Sequence, residues 1–448
     1  MRRALARLCA LASLRGLVVS LALVPATAEA DAENDLGLSP RTAALGGAVV
    51  ATGGDFAATA YSPAALIVPG DRDGLGELHA GLIVAAPALW AESAMPGESL
   101  DLPAPANTYS LVVGGRWDIG RGLGAPGLVL GLGLYTPLDG LLRSRIRPDE
   151  SPSWLHLTDR TQHLTVHAAL AYRIVPWLSV GVGVRVTLDE EAFITGTATE
   201  ITRVTDPVTG EERVEAGAAL GLDAAVYGRA GPTAGVLVAP LPELRFAFAW
   251  RSRLFSDDWG WARLQGIDGV GDLGFAYRFA HVYRPHELVW GAAVRPHEAL
   301  EVSAELMWQL WDDPRSPAGQ LLPARFGDVL VPSVGVRVVP MPGVDLLAGY
   351  RYARSPFDNL GGPTNLLSND VHHVSLGTEI DLDVLVTGED VPFTLSVSGR
   401  LSILEAREEV KNGRHFPSDR ALLTNPGYPG YRYGGVVPSV QVAVETRW

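Results

Sequence analysis

The feature that most constrains this chain is a repeated alternation of apolar with small or polar residues, in runs long enough to cross a bilayer. In residues 178–188 (LSVGVGVRVTL) every even position is Leu or Val and every odd position is Ser, Gly, Arg or Thr. Leu128, Leu130, Leu132 and Leu134 alternate with Val129, Gly131, Gly133 and Tyr135. Val344, Leu346, Ala348, Tyr350 and Tyr352 alternate with Asp345, Leu347, Gly349, Arg351 and Ala353. Period-two patterning predicts β-strands with one apolar face. About fourteen such segments lie near 77–90, 107–119, 126–136, 161–174, 177–191, 218–239, 242–254, 286–295, 298–311, 330–340, 343–354, 370–383, 391–405 and 436–448. Most are longer than a strand of a soluble domain and match the ten or so tilted residues that span a bilayer.

The connections sharpen this. Those after the even-numbered segments are mostly tight, as at Val175-Pro176, Pro240-Leu241, Pro296-His297 and Met341-Pro342, whereas those after the odd-numbered ones are long. Short turns on one side and long loops on the other are the asymmetry of an outer-membrane barrel. Val440, Val442, Val444, Thr446 and Trp448 share one face of the last strand, opposite Gln441, Ala443, Glu445 and Arg447. An amphipathic final strand closed by a terminal aromatic is how such barrels end. Alternation alone does not separate inside from outside, and a secreted sandwich or propeller would alternate too. Strand length, loop asymmetry and the last strand favour an all-β transmembrane antiparallel barrel of about 14 strands.

Arg2, Arg3, Arg7 and Arg15 precede an apolar run at 17–25 and a small-x-small site at Ala28-Glu29-Ala30. That predicts a cleaved secretory signal peptide over 1–30, with cleavage after Ala30 or Ala28. The one cysteine, Cys9, falls inside it, so the exported chain has no disulfide. The whole chain carries a formal charge of −14, which disfavours nucleic acid as a partner. Beyond the leader, no run of 18 apolar residues marks a spanning helix.

Fourteen strands enclose more space than wall side chains fill, and something must occupy it. Residues 42–66 (TAALGGAVVATGGDFAATAYSPAAL) contain 17 Ala, Gly, Ser or Thr among 25 residues and one charge, Asp55. The stretch is too glycine-rich for a stable helix and too apolar for a disordered tail. Small neutral side chains suit a segment folded in a narrow lumen, with Gly46, Gly47, Gly53 and Gly54 permitting tight turns. We therefore divide the chain into a signal peptide (1–30), an N-terminal plug (31–70) and the barrel (71–448).

Residues 41–51 (RTAALGGAVVA) and 55–64 (DFAATAYSPA) together resemble the N-terminal hatch of the FadL/TodX outer-membrane transporter family. Residues 349–356 (GYRYARSP), 372–377 (HHVSLG) and 433–435 (YGG) resemble it more loosely. The resemblance implies hatch residues Gly46, Gly47, Asp55, Tyr61, Ser62 and Pro63. It implies passive uptake of long-chain fatty acids or aromatic hydrocarbons, a kink in the third strand (candidates Gly131 and Gly133) and lateral exit into the bilayer. Implied partners are the hydrophobic substrate, outer-membrane lipid and lipopolysaccharide, and the barrel assembly machinery. Ser62 stands where the family has Asn, and Ala65 where Gly is common. Ser62 is expected to keep a local backbone hydrogen bond before Pro63.

Two connections stand out. Residues 192–217 read as a hairpin extending strands five and six above the membrane. Residues 255–285 read as an aromatic loop, and Phe255, Trp259, Trp261, Phe275 and Tyr277 are candidates for capturing an apolar ligand. His163, His167, Glu301, Glu305, Arg116, Arg173, Arg185, Arg337 and Arg351 take lumen positions and suggest an internal polar network; His372-His373 completes no metal set. No nucleophile elbow, phosphate loop or dinucleotide fingerprint occurs, so no cofactor, metal or enzyme activity is expected. The alternative function is a non-specific porin or structural barrel.

Overall fold

Side-chain parity decides what faces what. In the first strand Leu78 is 43% exposed, whereas Glu77 and His79 on either side are 2% and 3%. In the last, Val440 and Val442 are exposed and Gln441 is buried. Apolar residues turn outward and polar ones inward, the inverse of a soluble sandwich. This is the arrangement a wall surrounded by hydrocarbon requires.

The computed structural model describes residues 32–68, 75–95, 107–138, 153–154, 163–205, 212–267, 271–311, 327–356, 366–382, 392–411 and 428–448, its side chains excepting 32–33, 153, 189–192, 194, 196–220, 222, 255–283 and 366. The signal-peptide reading at 1–30 lies outside the described residues. Fourteen strands form the wall: β1 (Gly76–Ala85), β2 (Thr108–Asp118), β3 (Leu128–Pro137), β4 (Thr165–Val175), β5 (Leu178–Thr205), β6 (Glu212–Leu241), β7 (Leu244–Arg251), β8 (His286–His297), β9 (Leu300–Leu310), β10 (Val329–Met341), β11 (Val344–Ala353), β12 (Val371–Asp381), β13 (Phe393–Val410) and β14 (Gly430–Arg447). Each pairs antiparallel with the next, and β14 pairs with β1. All fourteen segments expected from alternation are wall strands.

The closing seam runs Leu78↔Thr446, Ala80↔Val444, Leu82↔Val442 and Val84↔Val440, putting apolar pairs on the outer face. Trp448 closes it through backbone bonds to Leu75 and Gly76. A closed wall leaves no unpaired edge, and every spanning backbone group is satisfied between strands. Turns at one end are tight, with the register shifts Arg173/Val175, Val238/Leu241, Val294/His297 and Val338/Met341 beside them.

At the other end the wall is uneven. β5 and β6 run 28 and 30 residues and stay paired to Thr205↔Glu212, which is the hairpin expected over 192–217. Residues 255–285 differ from the loop expected. They form a second hairpin, Leu254–Ile267 with Gly271–Arg284, whose first strand lies parallel to β5 from Trp259↔Glu191 to Gln265↔Thr197. The physical reason is visible in the spacing: Trp259 and Trp261, then Phe275, Tyr277 and Phe279, recur every two residues.

Residues 32–68 lie inside the barrel, and Asn34 and residues 36–67 are buried almost throughout. The wall accommodates them with lumen-facing glycines. A Cβ at Gly114 would stand 2.0 Å from the Phe56 ring, and one at Gly349 would stand 2.2 Å from the backbone carbonyl carbon of Leu45. Glycine at these strand positions permits close approach of backbone. Gly399 faces outward and meets nothing within 4 Å. The pair makes a test. Gly349→Val should dislodge the N-terminal segment, raising single-channel conductance in planar bilayers while the barrel keeps its heat-modifiable migration. Gly399→Val should leave both unchanged; equal behaviour of the two variants would exclude this packing role.

Candidate functional site

The N-terminal segment holds little regular structure. It has α1 (Pro40–Ala44), α2 (Ala58–Tyr61) and a 3₁₀ turn at Pro63–Ile67. Ser39 caps α1, its Oγ accepting from the Thr42 amide at 3.2 Å and donating to Asp55 Oδ2 at 2.5 Å. Asp55 Oδ1 accepts from the Ala57 amide at 3.0 Å, tying the two short helices together. Gly46 and Gly47 take positive φ of 65° and 84°, turning the chain where it touches the backbone of Tyr350.

So irregular a segment leaves many carbonyls without internal partners, and a buried carbonyl needs one. The wall supplies them. Arg116 Nε donates to Leu66 O at 2.6 Å, Arg173 Nη2 to Ile67 O at 3.1 Å, and Arg245 Nη1 to Thr52 O at 3.1 Å. Arg351 Nη1 donates to Asn34 O at 2.7 Å, and Arg400 reaches Asp35 O at 2.6 Å and Ala43 O at 2.9 Å. Gln441 Nε2 serves Leu36 O and Gly37 O. Each charge-assisted bond is worth roughly 1.5–3 kcal/mol where its acceptor would otherwise be stranded.

Carboxylates take the opposite part. Glu305 Oε2 accepts from the amides of Val49 and Val50 at 3.0 and 3.1 Å. Asn34 donates to Glu287, which also holds Arg251 at 3.1 Å. Arg41, the segment's own cation, bonds Glu379 on β12 and lies 3.7 Å from Asp345 on β11.

Above the segment lies an apolar cluster. Trp154, Trp311, Leu367, Leu404, Tyr431 and Tyr433 belong to one buried cluster with Leu36 and Leu45. Its outer cover comes from two connections. Ser153–Trp154, between β3 and β4, pairs in parallel with Leu366–Leu367, between β11 and β12. Trp154 meets Tyr433 edge-on at 5.5 Å, and Tyr433 Oη donates to Ser368 O at 3.2 Å. At the rim, Lys411 Nζ sits 5.6 Å over the Tyr431 ring, and burial pushes its ammonium down to about 8 against the opposing pull of Glu409.

The expected site residues fall out as follows. Gly46, Gly47, Asp55, Tyr61, Ser62 and Pro63 come together in the lumen; the Arg251 guanidinium stands 5.7 Å over the Tyr61 ring and Pro63 lies against Gly181. The hydrogen bond expected of Ser62 is absent: its hydroxyl is buried beside Gly235 with no partner among the described residues. β3 pairs with both neighbours without a register shift, so no bulge marks Gly131 or Gly133. Those glycines instead lie under Thr59, Leu66 and Phe56. The candidate capture residues sit on the 254–284 hairpin, where Phe255 pairs with Tyr283, Trp259 with Arg278, Trp261 with Ala276, Phe275 with Ala262 and Tyr277 with Gly260; their side chains lie outside the described ones. Val440, Val442, Val444 and Trp448 are at the closing seam. Arg245, Arg400 and Gln441 were not singled out in the sequence; their signal was lumen parity alone.

Arg400 gives the sharpest test of this arrangement. Arg400→Met removes the guanidinium from the carbonyls of Asp35 and Ala43, the second of which keeps the Gly46 amide. About 2 kcal/mol of lost bonding should speed amide exchange over residues 36–47 about thirtyfold, with β14 unchanged. Exchange mass spectrometry on the purified barrel reads this, and unaltered rates would show that the arginine does not hold the segment.

No family model matches the sequence, and no curated protein sequence does. Solved structures do match the fold. A FadL homologue of Pseudomonas aeruginosa superposes with a TM-score of 0.58 at 13% identity, covering 94% of this chain and 98% of that one. The P. putida toluene transporter TodX gives 0.55 at 15% identity, covering 92% and 98%. The Ralstonia pickettii toluene transporter TbuX gives 0.52 at 14% identity over the same shares. By this likeness the chain has the fold of the FadL/TodX-type outer-membrane barrels.

Proposed function

We propose that this chain is an outer-membrane protein that admits hydrophobic compounds through a plugged barrel, residues 31–70 forming the hatch. One observation supports the reading: a buried apolar cluster that includes Trp154, Trp311, Leu367, Leu404, Tyr431 and Tyr433 is continuous with the N-terminal segment below it. Water-soluble solutes gain nothing from such an apolar lining, whereas an apolar compound crossing the polar lipopolysaccharide layer does. The names of the similar structures, toluene transporters and a FadL homologue, support the same class. Uptake is passive, as the resemblance of residues 41–64 to the family's hatch implies. The 254–284 hairpin is our candidate for first capture, and long-chain fatty acids and aromatic hydrocarbons are the substrate classes. The leader over 1–30 directs export and is cleaved off, and insertion uses the barrel assembly machinery. Sideways exit near Gly131 and Gly133 would complete the route.

The competing reading, a non-specific porin, calls for an open lumen, and residues 34–67 are buried inside the barrel. Two measurements decide between them. Mass spectrometry of the detergent-purified protein should find bound fatty acid or hydrocarbon. Ion conductance should stay low until residues 31–70 are deleted; equal, high conductance with and without them would establish the porin.

A further inference from the structure

Two connections meet across the outer mouth, and they are not held alike. Ser153–Trp154 lies between β3 and β4, and Leu366–Leu367 between β11 and β12, so the two arms leave nearly opposite points of the fourteen-strand wall. The Leu366–Leu367 arm is fixed to the wall just beyond its pairing. Ser368 O accepts from Tyr433 Oη and from Arg407 Nη1, both at 3.2 Å. Asn369 Nδ2 donates to Glu405 O at 2.8 Å and to Tyr433 O at 3.3 Å. The Ser153–Trp154 arm is held by a two-residue backbone pairing, Ser153↔Leu366 and Trp154↔Leu367, and by its indole, which is 7% exposed and stands edge-on to Tyr433. So short a parallel pairing is a weak attachment, because strands gain stability from length and from further strands beside them.

Interiors are packed to crystal-like density, so a compound that enters a buried cluster displaces a member of it. Leu404, Tyr431 and Tyr433 stand on β13 and β14, Trp311 directly follows β9, and Leu367 belongs to the fixed arm. Moving any of these strains the wall or breaks the anchor bonds. Trp154 can leave with only its own two-residue pairing broken. We infer that Trp154 is the gate of this cluster: its indole fills the place that an entering hydrophobic compound takes, and the Ser153–Trp154 arm swings off Leu366–Leu367 to admit it. The inference rests on the transport reading above and adds to it the step of entry. An indole that leaves exposes its own apolar area and gives up its contact with Tyr433. An apolar compound restores that burial and a polar solute does not, so the gate opens in exchange for a ligand and stays shut otherwise.

The test locks the arms together. Directly paired residues of neighbouring strands stand about 5 Å apart, within the span of a disulfide. The one native cysteine, Cys9, falls in the leader. Uptake of hexadecanoate and of toluene is measured in cells expressing the wild type, Ser153→Cys/Leu366→Cys and each single variant, after oxidation and again after reduction. Whatever the wild type takes up should enter about tenfold more slowly through the oxidised pair, recover on reduction and be unaffected in the single variants. Trp154→Ala separates a gate from a binding contact: losing a gate should speed uptake about threefold, whereas losing a contact would slow it. Should Trp154→Ala fail to give a heat-modifiable barrel, the cross-linked pair decides alone. Unchanged uptake through the verified disulfide, failure of the two thiols to cross-link, or unchanged or slower uptake by folded Trp154→Ala overturns the gate and leaves hydrophobic uptake standing. Wild-type cells that take up neither compound defeat the transport reading, and the gate with it.

Discussion

Everything in this lumen depends on hydrogen bonds from wall side chains to the backbone of a segment that cannot satisfy itself. A spanning barrel solves its own backbone problem by closure, strand to strand. Residues 34–67 have no such recourse, being neither a long helix nor a strand of the sheet. Their carbonyls are met by guanidiniums from β2, β4, β7, β11 and β13 and by the amide of Gln441 on β14. Arginine suits this work because its fork serves two acceptors at once, as Arg400 does for Asp35 and Ala43. Among the lumen cations, Arg251, Arg245 and Arg41 are balanced by Glu287, Glu301 and Glu379, which lowers the net charge the filled lumen buries.

The contrast between the apolar cluster and the plug follows from this. Above Leu36 an apolar cluster of Trp, Tyr and Leu fills part of the lumen, with Asn369, Arg407 and Lys411 beside it. Below it the interface is polar and stitched by many individually modest bonds. Such an interface is stable as a whole yet separable bond by bond, because each donor released can bond water or another anion instead. Apolar packing of the same area would offer a leaving segment no such exchange.

How much of this could be read from the sequence depends on distance along the chain. The strands were readable because period two is a local property, and each of the fourteen runs declares itself within about ten residues. The second hairpin was missed because its aromatic content outweighed its spacing, although Trp259 and Trp261 are two apart and so are Phe275 and Tyr277. The lumen arginines were placed on the right face but assigned to one another. Nothing near Arg400 signals that its partner is Asp35, 365 positions away. Ser62 failed for a related reason. A hydroxyl before proline usually finds a local backbone group, but here it is pressed against Gly235 of β6, where no acceptor stands within reach.

The glycines carry a lesson the alternation alone conceals. Gly181, Gly235, Gly291, Gly335, Gly349 and Gly377 lie on six different strands at lumen parity, and a Cβ at each would stand within 3 Å of an atom of the N-terminal segment or of a wall side chain beside it. Glycine weakens a strand, so an empty barrel would have no use for so many on its inner face. Their common cause is a backbone packed against the wall. Gly131 meets the same condition under Thr59 and Leu66, and Gly133 lies 3.3 Å under Phe56 and Thr59 by the same measure. A barrel sequence with glycine concentrated at inward positions of many strands therefore declares that its lumen is occupied by main chain, before any resemblance is drawn.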